Sequence, residues 1–242
     1  MEPFVSCVCP TGNRQSLITV AIDCFLSQTY PNKELIVLDD GVSPTSVPCH
    51  PSIKYHRHIG HKLTTGAKRN RCNELAAGEI ICNWDDDDWS HQSRVSVQVK
   101  HLVTSGKAFT GFGQMYFHGP DSTFIMKDCG GGLGTAQCYT KAFWESHPYP
   151  SIQTTEDIGF CQVAEKLGEC SVIPGEGLMV ARRHPSNSWD TINILDLRRC
   201  TPVYISELPT GFLEAIGIPK DPSYTLGSRP PAFIHKSYGV QR

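Results

Sequence analysis

Apolar positions in the first hundred residues fall into short runs separated by helical stripes. Phe4-Val5-Ser6-Cys7-Val8-Cys9 is a run closed by Pro10-Thr11-Gly12-Asn13, which predicts a strand and a turn. Leu17, Ala21, Cys24 and Phe25 then recur at helical spacing, with Ile18, Ile22 and Leu26 widening the stripe before Pro31 ends it. Glu34-Leu35-Ile36-Val37-Leu38 reads as a second buried strand and runs out into Asp39 and Asp40. Two strands joined by one helix make a βαβ unit, which implies parallel pairing and a right-handed crossover. Residues 53–57 suggest a short strand, 66–77 a helix with Gly78 as its C-cap, and 90–105 a helix with Val95, Val99 and Leu102 inward.

The second half is less regular. Residues 109–118 and 123–127 predict the strands of a hairpin around Gly119-Pro120-Asp121-Ser122. A glycine-rich loop follows at 129–136, where the backbone can approach a ligand closely or simply link two elements. Next come a short helix at 140–146 and a longer one opened by Thr154-Thr155-Glu156-Asp157, with Ile158, Cys161, Ala164 and Leu167 inward. Strands at 171–174 and 178–181 precede a Pro-rich tail, in which 192–199 is the one helical candidate.

Composition narrows the class. A chain of 242 residues is one large domain or two small ones, and a hydrophobic content of 39% supports a real core. The net charge of -2 creates no broad basic field for nucleic acid or anionic membrane, although a local patch remains open. The 11 cysteines are scattered without a CxxC pair, and Cys7, Cys24, Cys82 and Cys161 sit inside apolar patterns. Reduced, buried thiols in a cytoplasmic protein account for them better than a disulfide framework. No charged-then-apolar leader opens the chain, and no apolar run is long enough for a membrane span.

The chemistry concentrates at Ile80-Ile81-Cys82-Asn83-Trp84-Asp85-Asp86-Asp87-Asp88-Trp89, an apolar strand that ends in four carboxylates. Side chains alternate along an extended chain, so Asp85 and Asp87 point the same way. Paired carboxylates at a strand end suit a hard divalent ion such as Mg²⁺ or Mn²⁺. The alternative is a solvated acidic turn, but two flanking tryptophans argue for burial. Lys68, Arg69 and Arg71 crowd a helix start, where cations oppose the helix dipole, so an anion nearby would account for them. No GxGxxG or GxxxxGK[ST] loop is present, so a nucleotide here would be held by metal and carboxylates.

The order of these pieces resembles inverting family-two glycosyltransferases with the GT-A fold, an α/β fold. A Rossmann-like nucleotide-binding half-sheet is there fused to a mixed acceptor-binding half. The matching pieces are Val5 to Thr11, Gln28-Thr29-Tyr30-Pro31-Asn32, Glu34 to Gly41, Arg69-Asn70, Ala77-Gly78-Glu79, the aspartate run, Glu156-Asp157 and Arg183-His184-Pro185-Ser186-Asn187-Ser188-Trp189. The resemblance implies a donor-binding half at 1–106, an acceptor and catalytic-base half at 107–190 and a C-terminal extension at 191–242. It places Pro10, Thr11 and Asp40 at the nucleoside, with Asp39 close by, and Arg69 near the ribose or diphosphate. Asp85 and Asp87 match the family's Asp-x-Asp metal motif, with Asp87 the direct ligand. In the alternative register Asp86 takes the donor sugar and Asp88 the metal. His184 resembles a late residue that closes on the metal, or is an ordinary loop histidine.

Asp157 resembles the catalytic base; locally, Thr154-x-x-Asp157 also reads as a capping pattern. The implied reaction moves a sugar from a nucleotide-sugar, by family frequency a UDP-sugar, to an acceptor hydroxyl with inversion. The acceptor stays open among glycans, lipid-linked sugars, small molecules, proteins and modified nucleic-acid bases. The alternatives are a sugar-nucleotide synthesising enzyme, for which Cys9-Pro10-Thr11-Gly12-Asn13-Arg14 is a poor phosphate loop, and a non-catalytic sugar-nucleotide binder.

Overall fold

The computed structural model describes residues 2–120, 122–187 and 200–216. Its centre is a seven-stranded sheet in the order β10-β6-β9-β4-β1-β2-β3. The strands are β1 (Val5–Thr11), β2 (Lys33–Asp39), β3 (Ile53–Arg57), β4 (Ile80–Asn83), β6 (Phe109–Phe112), β9 (Cys138–Thr140) and β10 (Cys170–Ile173). Strands β4, β1, β2 and β3 are mutually parallel, β10 is parallel to β6, and β9 runs antiparallel to both β4 and β6. The expected parallel βαβ start is therefore present, and the short strand at 53–57 extends it.

Both faces of this sheet are covered, which is why its central strands are apolar without a break. Side-chain alternation sends Val5, Cys7 and Cys9 of β1 and Leu35 and Val37 of β2 to one face. There they meet Ile18 and Phe25 of helix α1 (Gln15–Leu26) and Val95, Val99 and Leu102 of α3 (Arg94–Ser105). Val8, Ile36 and Leu38 turn to the other face, against Cys72 of α2 (Thr65–Leu75), Phe143 of α4 (Lys141–Ser146) and Phe160 of α5 (Glu156–Lys166).

A second, five-stranded sheet has the order β12-β8-β7-β11-β5. It joins β5 (Trp89–Ser90), β7 (Met115–His118), β8 (Thr123–Met126), β11 (Met179–Arg182) and β12 (Cys200–Pro202). Met115, Phe117, Phe124 and Met126 of this sheet cluster with Phe112 of β6 and Ile173 of β10, which joins the two sheets.

Five local expectations are corrected. Residues 109–118 are not one strand: β6 belongs to the central sheet, and only β7 pairs with β8 as a hairpin. The helix predicted from residue 90 starts at Arg94, because Trp89 and Ser90 pair with β11. Helix α5 buries Glu156, Phe160, Cys161 and Ala164, while Ile158 and Leu167 are exposed, so the inward face is rotated from the one expected. The N-cap of α5 is Thr155, without a side-chain capping bond, so Thr154 does not cap Asp157's helix. Gly78 does not close α2, which ends at Ala76 in extended backbone. A Cβ on Gly78 would lie 2.5 Å from the Ser6 amide nitrogen, so close backbone approach is what requires glycine there. The helix expected at 192–199 falls outside the described residues.

All 11 cysteines are free thiols. Among the described residues, no helix is long and apolar enough to cross a membrane.

Two buried polar anchors hold the end of the sheet from which the site is built. Arg94, 1% exposed, donates to the carbonyls of Asn83 at 2.7 Å and Thr135 at 2.6 Å and to Ser90 Oγ at 2.9 Å. Its guanidinium also lies 4.8 Å from the Trp84 ring. Asp39, at the end of β2, accepts from the Gly41 and Thr45 amides, Tyr55 Oη and Arg57 Nη1 at 2.7–2.9 Å. Burial alone would raise its pKa, but these four donors outweigh burial and bring it down to about 2.

Arg94→Met should lower stability by about 3 kcal/mol, because charge-assisted bonds are lost and two carbonyls are left without them; a lower urea midpoint at constant m-value would show it. Asp39 should add acid-sensitive stability, since a depressed folded pKa favours folding above the unfolded value of about 3.9. That contribution is lost as pH falls through the folded pKa, so wild type should lose more stability than Asp39→Asn between about pH 4 and pH 2 in acid melts.

Candidate active site

The four aspartates leave β4 in a turn whose two ends are fixed. Trp84, at the near end, donates Nε1–H to the Ala21 carbonyl of α1 at 2.9 Å and is 1% exposed. Trp89, at the far end, is buried in β5 and packs edge-on against Phe212 at 6.0 Å. Both tryptophans therefore anchor the run as its sequence suggested. Phe212 lies in a short helix at Thr210–Ala215, so part of the C-terminal stretch braces the acidic turn.

Each carboxylate meets a different part of the chain. Asp85 receives Arg69 of α2, with Nη1 at 3.1 Å and Nη2 at 3.4 Å. Asp86 turns to the opposite side, where Thr11 Oγ1 donates at 2.6 Å and Arg14 Nη1 at 2.9 Å. Asp87 Oδ2 collects Arg14 Nη1 at 3.0 Å, His184 Nε2 at 3.2 Å and Asn187 Nδ2 at 3.3 Å. Asp88 Oδ1 accepts from the Arg182 amide at 3.0 Å.

Ligand atoms of Asp85, Asp87 and Asp88 lie within 4.8 Å of one another, and Asp86 is outside that group. Asp86 and Asp87 lie in a turn and share Arg14, so the grouping of Asp85, Asp87 and Asp88 comes from the turn and not from strand alternation.

Burial raises the proton affinity of two carboxylates of the turn, Asp86 and Asp88. Desolvation, then the charge of Asp87, pushes Asp86 up to about 6, against the pull of Arg14 and Thr11. Desolvation with Asp87 and Asp85 pushes Asp88 well above the usual carboxylate range. Arg69 shows the converse: burial works against its charge, and Asp85 and Glu156 outweigh burial to strengthen it.

A cleft of about 280 Å³ opens over this cluster. Pro10, Thr11, Arg69, Asp85, Asp86, Asp87, Asp88 and Asp157 all line it. Asp157 stands at the start of α5, where its Oδ2 accepts from the Gly134 amide at 2.9 Å and its Oδ1 from the Ile158 amide at 2.8 Å. A Cβ on Gly134 would sit 2.5 Å from Asp157 Oδ2, so the contact demands glycine at that point of the loop. Desolvation raises the Asp157 pKa, opposed by Arg69 and these two amides.

Three expected residues stand back from the cleft wall. Asp39 is fully buried and committed to protein donors. The Asp40 carboxylate, 1% exposed, accepts from Lys68 Nζ at 2.7 Å and the Leu63 amide at 3.1 Å. His184 reaches the site through Asp87 and through Asn187, which lines the cleft.

The cations near the start of α2 find their anions within the protein. Lys68 pairs with Asp40, Arg69 with Asp85 and Glu156, and Arg71 with Glu74 on the surface. Sequence reasoning missed Arg14, Asn187 and the tie from Arg69 to Glu156. Glu156 stands beside Asp157 in a pair already singled out. Arg14 gave no signal beyond its place after the first turn.

The profile of Glycosyl transferase family 2 matches residues 6–156. Over 115 residues the chain is 36% identical to a candidate colanic acid biosynthesis glycosyl transferase, WcaA of Escherichia coli K12, a match covering 43% of this chain and 40% of WcaA. It is 28% identical over 117 residues to WfaP of Escherichia coli, a UDP-Glc:alpha-D-GlcNAc-diphosphoundecaprenol beta-1,3-glucosyltransferase, covering 47% of this chain and 46% of WfaP. The matches thus span less than half the length of these relatives.

Among solved structures, the mannosyltransferase PcManGT of Pyrobaculum calidifontis, in complex with GDP-Man and Mn²⁺, superposes with a TM-score of 0.62 at 16% identity, covering 78% of this chain and 59% of that one. TarS 1-349 of S. aureus with UDP-GlcNAc gives a TM-score of 0.60 at 17% identity, covering 76% and 60%. The architecture is therefore the GT-A fold, and with the family profile spanning both the acidic run and Glu156, the chain belongs to glycosyl transferase family 2.

Proposed function

We propose that the chain moves a sugar from a nucleoside diphosphate sugar, with uridine as nucleoside, to an acceptor hydroxyl with inversion. The observation that carries this reading is the convergence of the Asp85–Asp87–Asp88 group and Asp157 on one cleft. The solved GT-A structures with UDP-GlcNAc and with GDP-Man and Mn²⁺ support the donor class and the use of a divalent ion.

The donor set fits such an ion. Three carboxylates with oxygen atoms within 4.8 Å of one another are hard ligands suited to Mn²⁺ or Mg²⁺. Asp85, Asp87 and Asp88 would hold it, with His184 behind Asp87. When bound, the ion would supply positive charge to offset that of the departing diphosphate. Pro10 and Thr11 form the wall for the nucleoside. Asp39 and Asp40 shape that wall from behind, by holding the 41–45 loop and Lys68. Asp86 faces the donor side, and Arg69 orients Asp85 while reaching α5 through Glu156.

Asp157 is the base in this reading. The acceptor oxygen bonds to the anomeric carbon as the bond to the diphosphate oxygen breaks, and a carboxylate oxygen of Asp157 takes the hydroxyl proton. Both oxygens accept from backbone amides, which fixes the carboxylate while leaving lone pairs for that proton.

Removal of the divalent ion with excess chelator should abolish turnover, and Asp87→Ala should do the same with the fold intact by circular dichroism. Full turnover in chelator would overturn the metal assignment.

Asp157→Asn keeps an amide acceptor but cannot take the proton, so kcat should fall ~10²–10⁴-fold with unchanged UDP affinity. Because Asp157 works ionised and its pKa is raised, wild-type kcat should climb with pH through that raised pKa, and Asp157→Asn should lose this acid limb. A fully active Asp157→Asn, or retention of configuration in the product's NMR coupling, would reject the base assignment.

A further inference from the structure

The Arg14 side chain touches two adjacent carboxylates of the acidic turn. Its Nη1 is shared between Asp86 Oδ1 at 2.9 Å and Asp87 Oδ2 at 3.0 Å, and its Nη2 donates to the Ser186 carbonyl. The other partners of Asp87 Oδ2 among the described residues are His184, charged only if protonated, and the neutral Asn187. Arg14 therefore supplies a fixed positive charge directly to the Asp87 carboxylate, while the Arg182 guanidinium reaches the backbone carbonyl of the same residue.

Three observations argue that this charge is a placeholder. First, one guanidinium nitrogen serves two carboxylates, so neither receives the two-pronged pairing a guanidinium makes best. Second, Asp87 belongs both to this contact and to the group that fits a divalent ion, so the two cations meet at one residue. Third, Arg14 lines the cleft, its side chain is 19% exposed, and its backbone is the non-helical N-cap of α1. The side chain can thus change partners by rotating its own bonds, without unwinding the helix.

We infer that Arg14 is a resident counter-ion of the aspartate turn that gives up Asp87 to an arriving divalent ion and pairs instead with the donor's diphosphate. This rests on the metal-dependent transfer reading above and adds an order to it: ion and donor load together because each favours the same move of Arg14. Before loading, Arg14 limits repulsion within the turn and ties the 184–187 segment to the start of α1. After loading, the guanidinium faces phosphate oxygens, for which its geometry is well matched.

The test is calorimetric titration of the full chain with Mn²⁺ and with UDP, each alone and each in the presence of the other. Arg14→Gln should bind Mn²⁺ alone about tenfold more tightly, because a competing unit charge a few ångströms away is gone. It should bind UDP alone more weakly, and UDP should enhance its Mn²⁺ affinity less than in wild type, a coupling that is reciprocal and can be read from either ligand. Its melting temperature without metal should be lower than wild type, and its gain on adding Mn²⁺ larger. Arg14→Lys keeps the charge without the fork, so its Mn²⁺ affinity should lie between the two, and it serves if Arg14→Gln fails to fold. Mn²⁺ affinity in the folded variants equal to or weaker than wild type would overturn the inference, as would unchanged coupling to UDP. Absence of Mn²⁺ binding by wild type even with UDP would instead remove the metal reading itself, a result visible before any variant is compared.

Discussion

Four consecutive carboxylates on a largely buried turn repel one another, and the architecture around them answers that repulsion. Each is met by a group from a distant point in the chain: Arg69 from α2, Thr11 and Arg14 from the first strand and turn, the Arg182 amide from the end of β11, and Asn187 from the segment that follows it. Below the turn, Arg94 fixes the carbonyl of Asn83, the last residue of β4. The aspartates thus act as an assembly point, since removing their partners would leave uncompensated charge in a poorly solvated place. Where burial and the neighbouring aspartates outweigh the partners, proton affinity rises, as at Asp86 and Asp88.

The pairing of Arg69 extends this logic across the cleft. One guanidinium holds Asp85 of the acidic turn and, through Nε, Glu156 at 3.2 Å, the residue before Asp157. Asn70, the next residue of α2, donates to the Tyr149 carbonyl at 2.8 Å and accepts from the Tyr149 amide and Trp144 Nε1, both at 2.9 Å. A single helical turn therefore fixes the separation between the acidic turn and α5. A change at Arg69 would be felt on both sides of the cleft, so its effects should not be assigned to one side alone.

Much of this was legible in the chain. The apolar runs of β1 and β2 with a helical stripe between them announced a parallel βαβ start, and the apolar strand ending in aspartates announced the acidic turn. The second sheet was less legible because its strands are short, pair across long separations and include the two-residue β5, which no periodicity can reveal. The inward face of α5 was misread because Glu156 is buried by its ion pair with Arg69, a long-range contact that polarity alone hides. The site's carboxylates could be picked out because their charge is conspicuous. The donors that meet them could not, since an arginine such as Arg14 carries no local mark of its distant partner.

The reversed direction of β9 has a topological consequence. In a parallel sheet, loops that follow strands gather at the carboxyl edge, and loops that precede strands gather at the opposite one. Because β9 runs against β4 and β6, the segment entering it emerges at the same edge as the segment leaving β4. That is how the glycine loop places the Gly134 amide against Asp157 and its carbonyl against the Asn83 side chain. Three residues of strand span only about 10 Å, yet a parallel β9 would have delivered this loop to the far side of the sheet. Strand polarity at one position thus decides which segments of the chain can ever share the cleft.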